Sequence, residues 1–227
     1  MARQLTFDLP AHAAQGLDDF LVTPSNATAM AAVETWRDWP NRKLVLVGDK
    51  GTGKSHLALV WAGMSGAAVI AANDLTGADI QSLAGRSVVV EDADQVAGNA
   101  PAETALFHLH NLVLAEGGHL LITGKTAPSR WGISLPDLKS RLEGTTPATL
   151  HAPDDLLLSA VLVKLFDDRQ IAVPANLIDY LVPRMDRSLA AAAALVERLD
   201  KAALSEGRPL TRSLATRVLQ KETGSGA

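Results

Sequence analysis

With 227 residues, 47% of them hydrophobic, the chain can bury one large core, or a core and a smaller companion domain. A net charge of −4 argues against a protein that holds nucleic acid through its overall charge. The absence of cysteine excludes a disulfide framework, a thiol nucleophile and a cysteine-based zinc site. His56, His108, His110 and His119 form no metal spacing with neighbouring carboxylates. The N-terminus lacks a basic region followed by a long apolar run, and no apolar stretch reaches the roughly 18 residues of a membrane span. A cytoplasmic location with no membrane partner is therefore expected.

Residues 1–12, MARQLTFDLPAH, stand apart by their pattern. In Gln4-Leu5-Thr6-Phe7-Asp8-Leu9 polar and apolar residues alternate up to Pro10, so an extended segment puts Leu5, Phe7 and Leu9 on one face. Two readings stay open: an edge strand of the chain's own domain, or a peptide that enters a partner's groove. Residues 19–26 read as a loop with Pro24, Ser25 and Asn26 as turn residues. Ser25 or Asn26 can cap a helix through Trp36, and Pro40-Asn41 breaks the chain before the next strand.

The rest of the chain is organised around the stretch Leu44 to Leu59, LVLVGDKGTGKSHLAL. An apolar strand at 43–47 leads into Gly48-Asp49-Lys50-Gly51-Thr52-Gly53-Lys54-Ser55. That run fits G-x-x-x-x-G-K-[ST] at every fixed position, and a helical pattern beginning near Lys54 and His56 runs to about Met64. Glycines at 51 and 53 let the backbone curl so that its N–H groups point inward as an anion nest. The start of the helix adds its positive end. Lys54 reaches the outer phosphates of a bound polyphosphate, and the Ser55 hydroxyl takes Mg²⁺.

A short strand at 68–71 precedes a weak helix at 77–84. Ser87 to Asp92, SVVVED, is a β-branched run ending in two carboxylates. Glu91 is placed to hold Mg²⁺ through water, and Asp92 to orient or deprotonate an attacking water. An acidic turn after a buried strand is the other reading, since Asp92 and Asp94 are good turn residues. A helix at 102–116, a strand at 119–123 running into Gly124-Lys125-Thr126, a short helix at 136–142 and a last strand at 150–151 complete a strand–helix alternation. That alternation predicts an α/β, doubly wound parallel sheet. After Pro153 only helical patterns appear, at 154–169, 174–184, 187–204 and 211–220. Arg184 and Arg187 flank the start of an alanine-rich helix at Ser188-Leu189-Ala190. A bound anion would offset the unfavourable helix-end charge there, and a solvated arginine with Asp186 as neighbour and cap would explain it as well.

This order of P-loop, acidic strand end, polar strand end, Ser-Arg-Leu helix and all-helical lid resembles the AAA+ family, and within it the DnaA initiator and its related regulators. Gln4 to Leu9 looks like a sliding-clamp-binding hexapeptide, and Phe20 to Asn26 like the loop that covers the adenine. Leu106-Phe107-His108-Leu109-His110-Asn111 and Leu120-Leu121-Ile122-Thr123-Gly124 also resemble segments of the regulators. Leu135 to Leu142, LPDLKSRL, is similar to the helix whose arginine, here Arg141, is a finger, and Arg187 falls where the family has its lid sensor arginine. Two positions depart from the pattern. Glu91 stands where Asp is usual, and Lys125 stands where the initiator has an acidic sensor.

The resemblance implies a peptide at 1–12, a nucleotide-binding core at 13–152, a helical lid at 153–221 and a tail at 222–227. It implies ADP or ATP with Mg²⁺ held by Gly48, Gly51, Thr52, Gly53, Lys54, Ser55, His56 and Arg187, with Glu91 on the metal. It further implies that Gln4, Leu5, Phe7 and Leu9 dock on the DNA polymerase III sliding clamp and that Arg141 acts in trans on ATP held by DnaA. Intrinsic hydrolysis is expected to be weak at most. No helix-turn-helix domain is expected after the lid, and hence no sequence-specific contact with DNA; self-association is left open. A self-acting, helicase-loader-like ATPase and an adaptor that stimulates no hydrolysis are the alternatives.

Overall fold

The computed structural model describes residues 21–223. The Gln4–Leu9 segment, Phe20 and the last four residues lie outside them.

Five strands form one parallel sheet: β1 (Lys43–Val47), β2 (Ala68–Ala71), β3 (Val88–Glu91), β4 (Leu120–Gly124) and β5 (Pro147–Thr149), in the order β2-β3-β4-β1-β5. The helices are α1 (Ala27–Glu34), α2 (Lys54–Ser65), α3 (Ala100–Ala115), α4 (Pro136–Glu143), α5 (Asp155–Asp167), α6 (Ala175–Leu181), α7 (Leu189–Glu206) and α8 (Arg212–Thr223).

The central strands β1 and β4 are buried along their whole length, which is why their sequences are nearly unbroken apolar runs. Successive side chains point to opposite faces of the sheet. Val45, Val47, Val88, Val90, Leu120 and Ile122 pack with Leu106, Leu109 and Val113 of α3 and Leu138 and Leu142 of α4. Leu44, Leu46, Val89 and Leu121 pack on the other side with Met30 and Val33 of α1 and Leu57 and Trp61 of α2. Helices α5 to α8 surround a core of their own, built on Leu158, Leu162, Phe166, Leu181, Leu195, Val196, Leu199 and Leu214.

Four local expectations need correction. The last strand is 147–149, not 150–151; Leu150 follows it and still donates its N–H to the Val47 carbonyl at 2.8 Å. The weak helix at 77–84 is only a 3₁₀ segment, Ile80–Leu83, with another, Ala72–Gly77, before it. The first helix ends at Glu34, and Trp36 sits in a separate 3₁₀ turn. Asn26 occupies the cap position of α1 without capping it by side chain. Its Oδ1 accepts instead from the Thr23 N–H at 2.8 Å, and its Nδ2 donates to the Leu21 carbonyl at 2.9 Å.

Candidate functional site

The turn between β1 and α2 requires glycine twice. Gly51 and Gly53 have φ of +82° and +102°, in the left-handed region that side chains disfavour. Gly51 also meets another element. A Cβ there would lie 1.9 Å from the Ser188 hydroxyl, and the Leu189 N–H donates to the Gly51 carbonyl at 2.8 Å. The first residues of α7 thus touch the glycine turn directly, a contact between residues more than 130 positions apart that no local pattern announces.

Inside the turn, Lys54 is buried, and its ammonium donates to the Gly48 carbonyl at 2.7 Å and the Asp49 carbonyl at 2.9 Å. Burial pulls its pKa below the usual lysine value, while Asp92, Asp94, Asp49 and Glu91 pull it back up. Thr52 Oγ1 donates to the Asp49 carbonyl at 3.0 Å. Ser55 and His56 are exposed on the first turn of α2.

These residues form one wall of a cavity of about 770 Å³, a volume within the usual range for small-molecule sites. Gly51, Thr52, Gly53, Lys54, Ser55 and His56 line it from the loop, and Asp92, Asp94, Gln95 and Lys125 from the ends of β3 and β4. Leu157, Val161 and Leu165 of α5 and Leu189 and Ala193 of α7 close it from the helical side, with Leu21 and Asn26 at one edge. The loop side is therefore polar, while the helical side carries an apolar patch edged by Lys164 and Asp168, a division that suits a ligand with a charged tail and a flat apolar head. The apolar wall escaped the sequence reading because Leu157 and Val161 share the helical spacing of the lid core.

Asp92 has φ +53° and is exposed; its N–H donates to Thr123 Oγ1 on β4 at 2.9 Å, which fixes the end of β3. Glu91 Oε1 is buried and has no hydrogen-bond partner. Among the described residues no cluster of three or more His, Asp or Glu side chains could hold a metal by itself.

Two arginines lie elsewhere. Arg187 does not line the cavity. Its Nη2 sits 2.7 Å from Asp155 Oδ1 and its Nε donates to the Pro153 carbonyl at 3.2 Å. The reading of Asp186 as cap is corrected: Ser188 caps α7, its Oγ accepting from the Ala191 N–H at 3.3 Å. Arg141 is exposed on α4, also away from the cavity, with its guanidinium carbon 5.3 Å from the centre of the Phe107 ring.

Glu103, unnoticed in the sequence, is 1% exposed on α3 and accepts from the N–H groups of Gly98, Ser134 and Leu135 at 2.7–3.1 Å. Burial pushes its carboxyl up, but the N–H donors of Ser134, Gly98 and Leu135 outweigh this and hold it below the usual carboxylate range. It ties the loop after β3 to the start of α4.

Residues 158–219 match the family model of the Hda lid domain. A protein of Haemophilus influenzae described as uncharacterized is 28% identical over 186 residues, which cover 76% of this chain and 79% of that protein. Domain III of the Thermotoga maritima replication initiation protein DnaA superposes with a TM-score of 0.79 at 18% identity, covering 94% of this chain and 98% of the other. AMPPCP-bound DnaA from Aquifex aeolicus gives 0.66 at 18% identity, covering 82% and 64%.

Proposed function

From a core with the AAA+ fold of DnaA and a lid of the Hda type, we propose that the chain is an adenine-nucleotide-binding regulator of bacterial replication initiation that stimulates ATP hydrolysis by DnaA. The observation that carries this reading is the separation of two features. The cavity is built jointly by the glycine turn and the lid, while Arg141 stands exposed outside it. An arginine so placed cannot serve the chain's own cavity but is free to serve a neighbour's.

The N–H groups at 51–54 and the Lys54 ammonium bind the phosphates of ADP or ATP, and the apolar wall of Leu157, Val161 and Leu165 takes the base. Likeness to a DnaA bound to AMPPCP supports an adenine nucleotide. Ser55 and the unpartnered Glu91 carboxylate fit Mg²⁺, a cation that needs few protein ligands when phosphates are present. When bound, Mg²⁺ offsets phosphate charge. Asp92 is positioned to orient water. Gln4, Leu5, Phe7 and Leu9, outside the described residues, are assigned to the sliding clamp. Arg141 then enters the site of ATP-bound DnaA and stabilises the charge that spreads over the transferring phosphoryl group.

The test is ATP hydrolysis by DnaA in the presence of DNA-loaded clamp. Arg141→Ala should lower the stimulated rate by about 10³-fold or more while clamp binding persists. Normal stimulation by that variant would sink the assignment. Strong hydrolysis by the purified protein alone, lost in both Lys54→Ala and Asp92→Ala, would point to a self-acting ATPase instead.

A further inference from the structure

The main chain of Arg141 is gripped from the sheet. Lys43, the first residue of β1, is 7% exposed, and its ammonium donates to the Arg141 carbonyl at 2.6 Å. Thr145 Oγ1 donates to the same carbonyl at 3.0 Å. The Lys43 ammonium also lies 3.3 Å from His110 Nε2. His110 is 2% exposed, and its Nδ1 is 3.4 Å from Asn111 Oδ1, so a proton on Nδ1 leaves Nε2 to accept from Lys43. No ion pair among the described residues involves Arg141.

A buried ammonium is costly unless it is fully used. Here it meets a carbonyl and an imidazole rather than a carboxylate, so its charge stays unneutralised beside Arg141. Like charge pushes the guanidinium outward, while the carbonyl bond holds the backbone in. Five residue steps along β1, roughly 16 Å, lead from Lys43 to Gly48, where the glycine turn begins.

We propose that Lys43 is a positioning residue for Arg141: it fixes the end of α4 to the strand that carries the phosphate turn and keeps the guanidinium aimed at a partner's nucleotide. The proposal rests on the role of Arg141 stated above, so its test has one readout that needs no partner.

The chain has no cysteine, so a single nitroxide on Glu143→Cys reports α4 alone. In Lys43→Met, which keeps the apolar stem, the label should become more mobile. The kcat of stimulated DnaA hydrolysis should fall about 10²-fold, the usual cost of a misplacement near 1 Å. KM for DnaA and affinity for ADP should stay within about twofold, since no binding contact is removed. Lys43→Arg, which can donate to the same carbonyl, should restore both the spectrum and kcat.

An unchanged spectrum and unchanged kcat in Lys43→Met overturn the proposal. If Lys43→Met does not fold, Lys43→Gln, which is too short to reach the Arg141 carbonyl but keeps a polar end, takes its place, and the same two outcomes decide. If Arg141→Ala leaves stimulation intact, the finger reading fails; the label then still decides whether Lys43 holds α4.

Discussion

Gly51 answers to two constraints at once, one local and one remote. Its φ of +82° penalises any side chain, and Ser188 occupies the space a Cβ would need. Gly51→Ala should therefore weaken both stability and nucleotide affinity, with about 1 kcal/mol from backbone strain alone and more from displacing the start of α7. The double variant Gly51→Ala/Ser188→Gly should recover the steric part and leave the backbone part. Equal urea midpoints for the single and double variants would show that the lid contact contributes nothing. His110 makes the second residue-scale case. Burial first and the Lys43 charge second lower its pKa from 6.5 to about 4; the Asn111 hydrogen bond opposes them, and the Arg141 charge adds a lesser push downward. The unfolded chain binds the proton first, so this contribution to stability is complete above pH 6.5 and is lost as pH falls towards about 4. Between pH 7 and pH 5 the loss should be on the order of 2 kcal/mol. His110→Gln should flatten that slope in urea titrations at fixed ionic strength; an identical slope would mean that His110 is not held neutral. The glycine turn was legible because its chemistry lies within eight consecutive residues. Ser188, Lys43, His110 and Glu103 were not, because each matters through a partner brought close only by the fold.

At the scale of elements, strands and long helices followed from their periodicity, and the errors fell where an element is short or its cap is used differently. β5 has three residues, too few for a pattern, and is held by its register against Val45–Val47. Asn26 spends its amide on the loop 21–23 rather than on α1. At the start of α7 the sequence left two partners open for Arg187, an anion or solvent with Asp186. The structure supplies a third, Asp155 at the start of α5. Both side chains are more than half exposed, so the pair contributes about 0–1 kcal/mol and is screened by salt. That is weak enough for a phosphate to displace. If Arg187 serves as the lid's sensor, Asp155 competes with the nucleotide for it. Asp155→Asn should then tighten ATP binding by up to about fivefold with little change in thermal stability. Unchanged or weaker affinity by calorimetry would leave Asp155 a surface ion pair and no more.

The molecule as a whole has an apolar core on each face of the sheet and a third within α5 to α8, and the cavity lies between the glycine turn of the first part and α5 and α7 of the second. A ligand there should act as a bridge, stabilising each part and their contact. ADP with Mg²⁺ at a hundredfold excess over its dissociation constant should add about 2.7 kcal/mol, which for a chain of this size means roughly 5–10 °C in melting temperature. The more informative measurement is where the protection falls. In hydrogen exchange, amides of α5 and α7 should slow together with those of the 48–56 turn, because Leu157 and Val161 face the cavity and Leu189 is bonded to Gly51. Lys54→Ala should abolish the effect in all three segments at once, since the phosphate turn fixes the ligand that the lid covers. Protection confined to 48–56 would separate the lid from the site and leave its apolar wall without a role in binding.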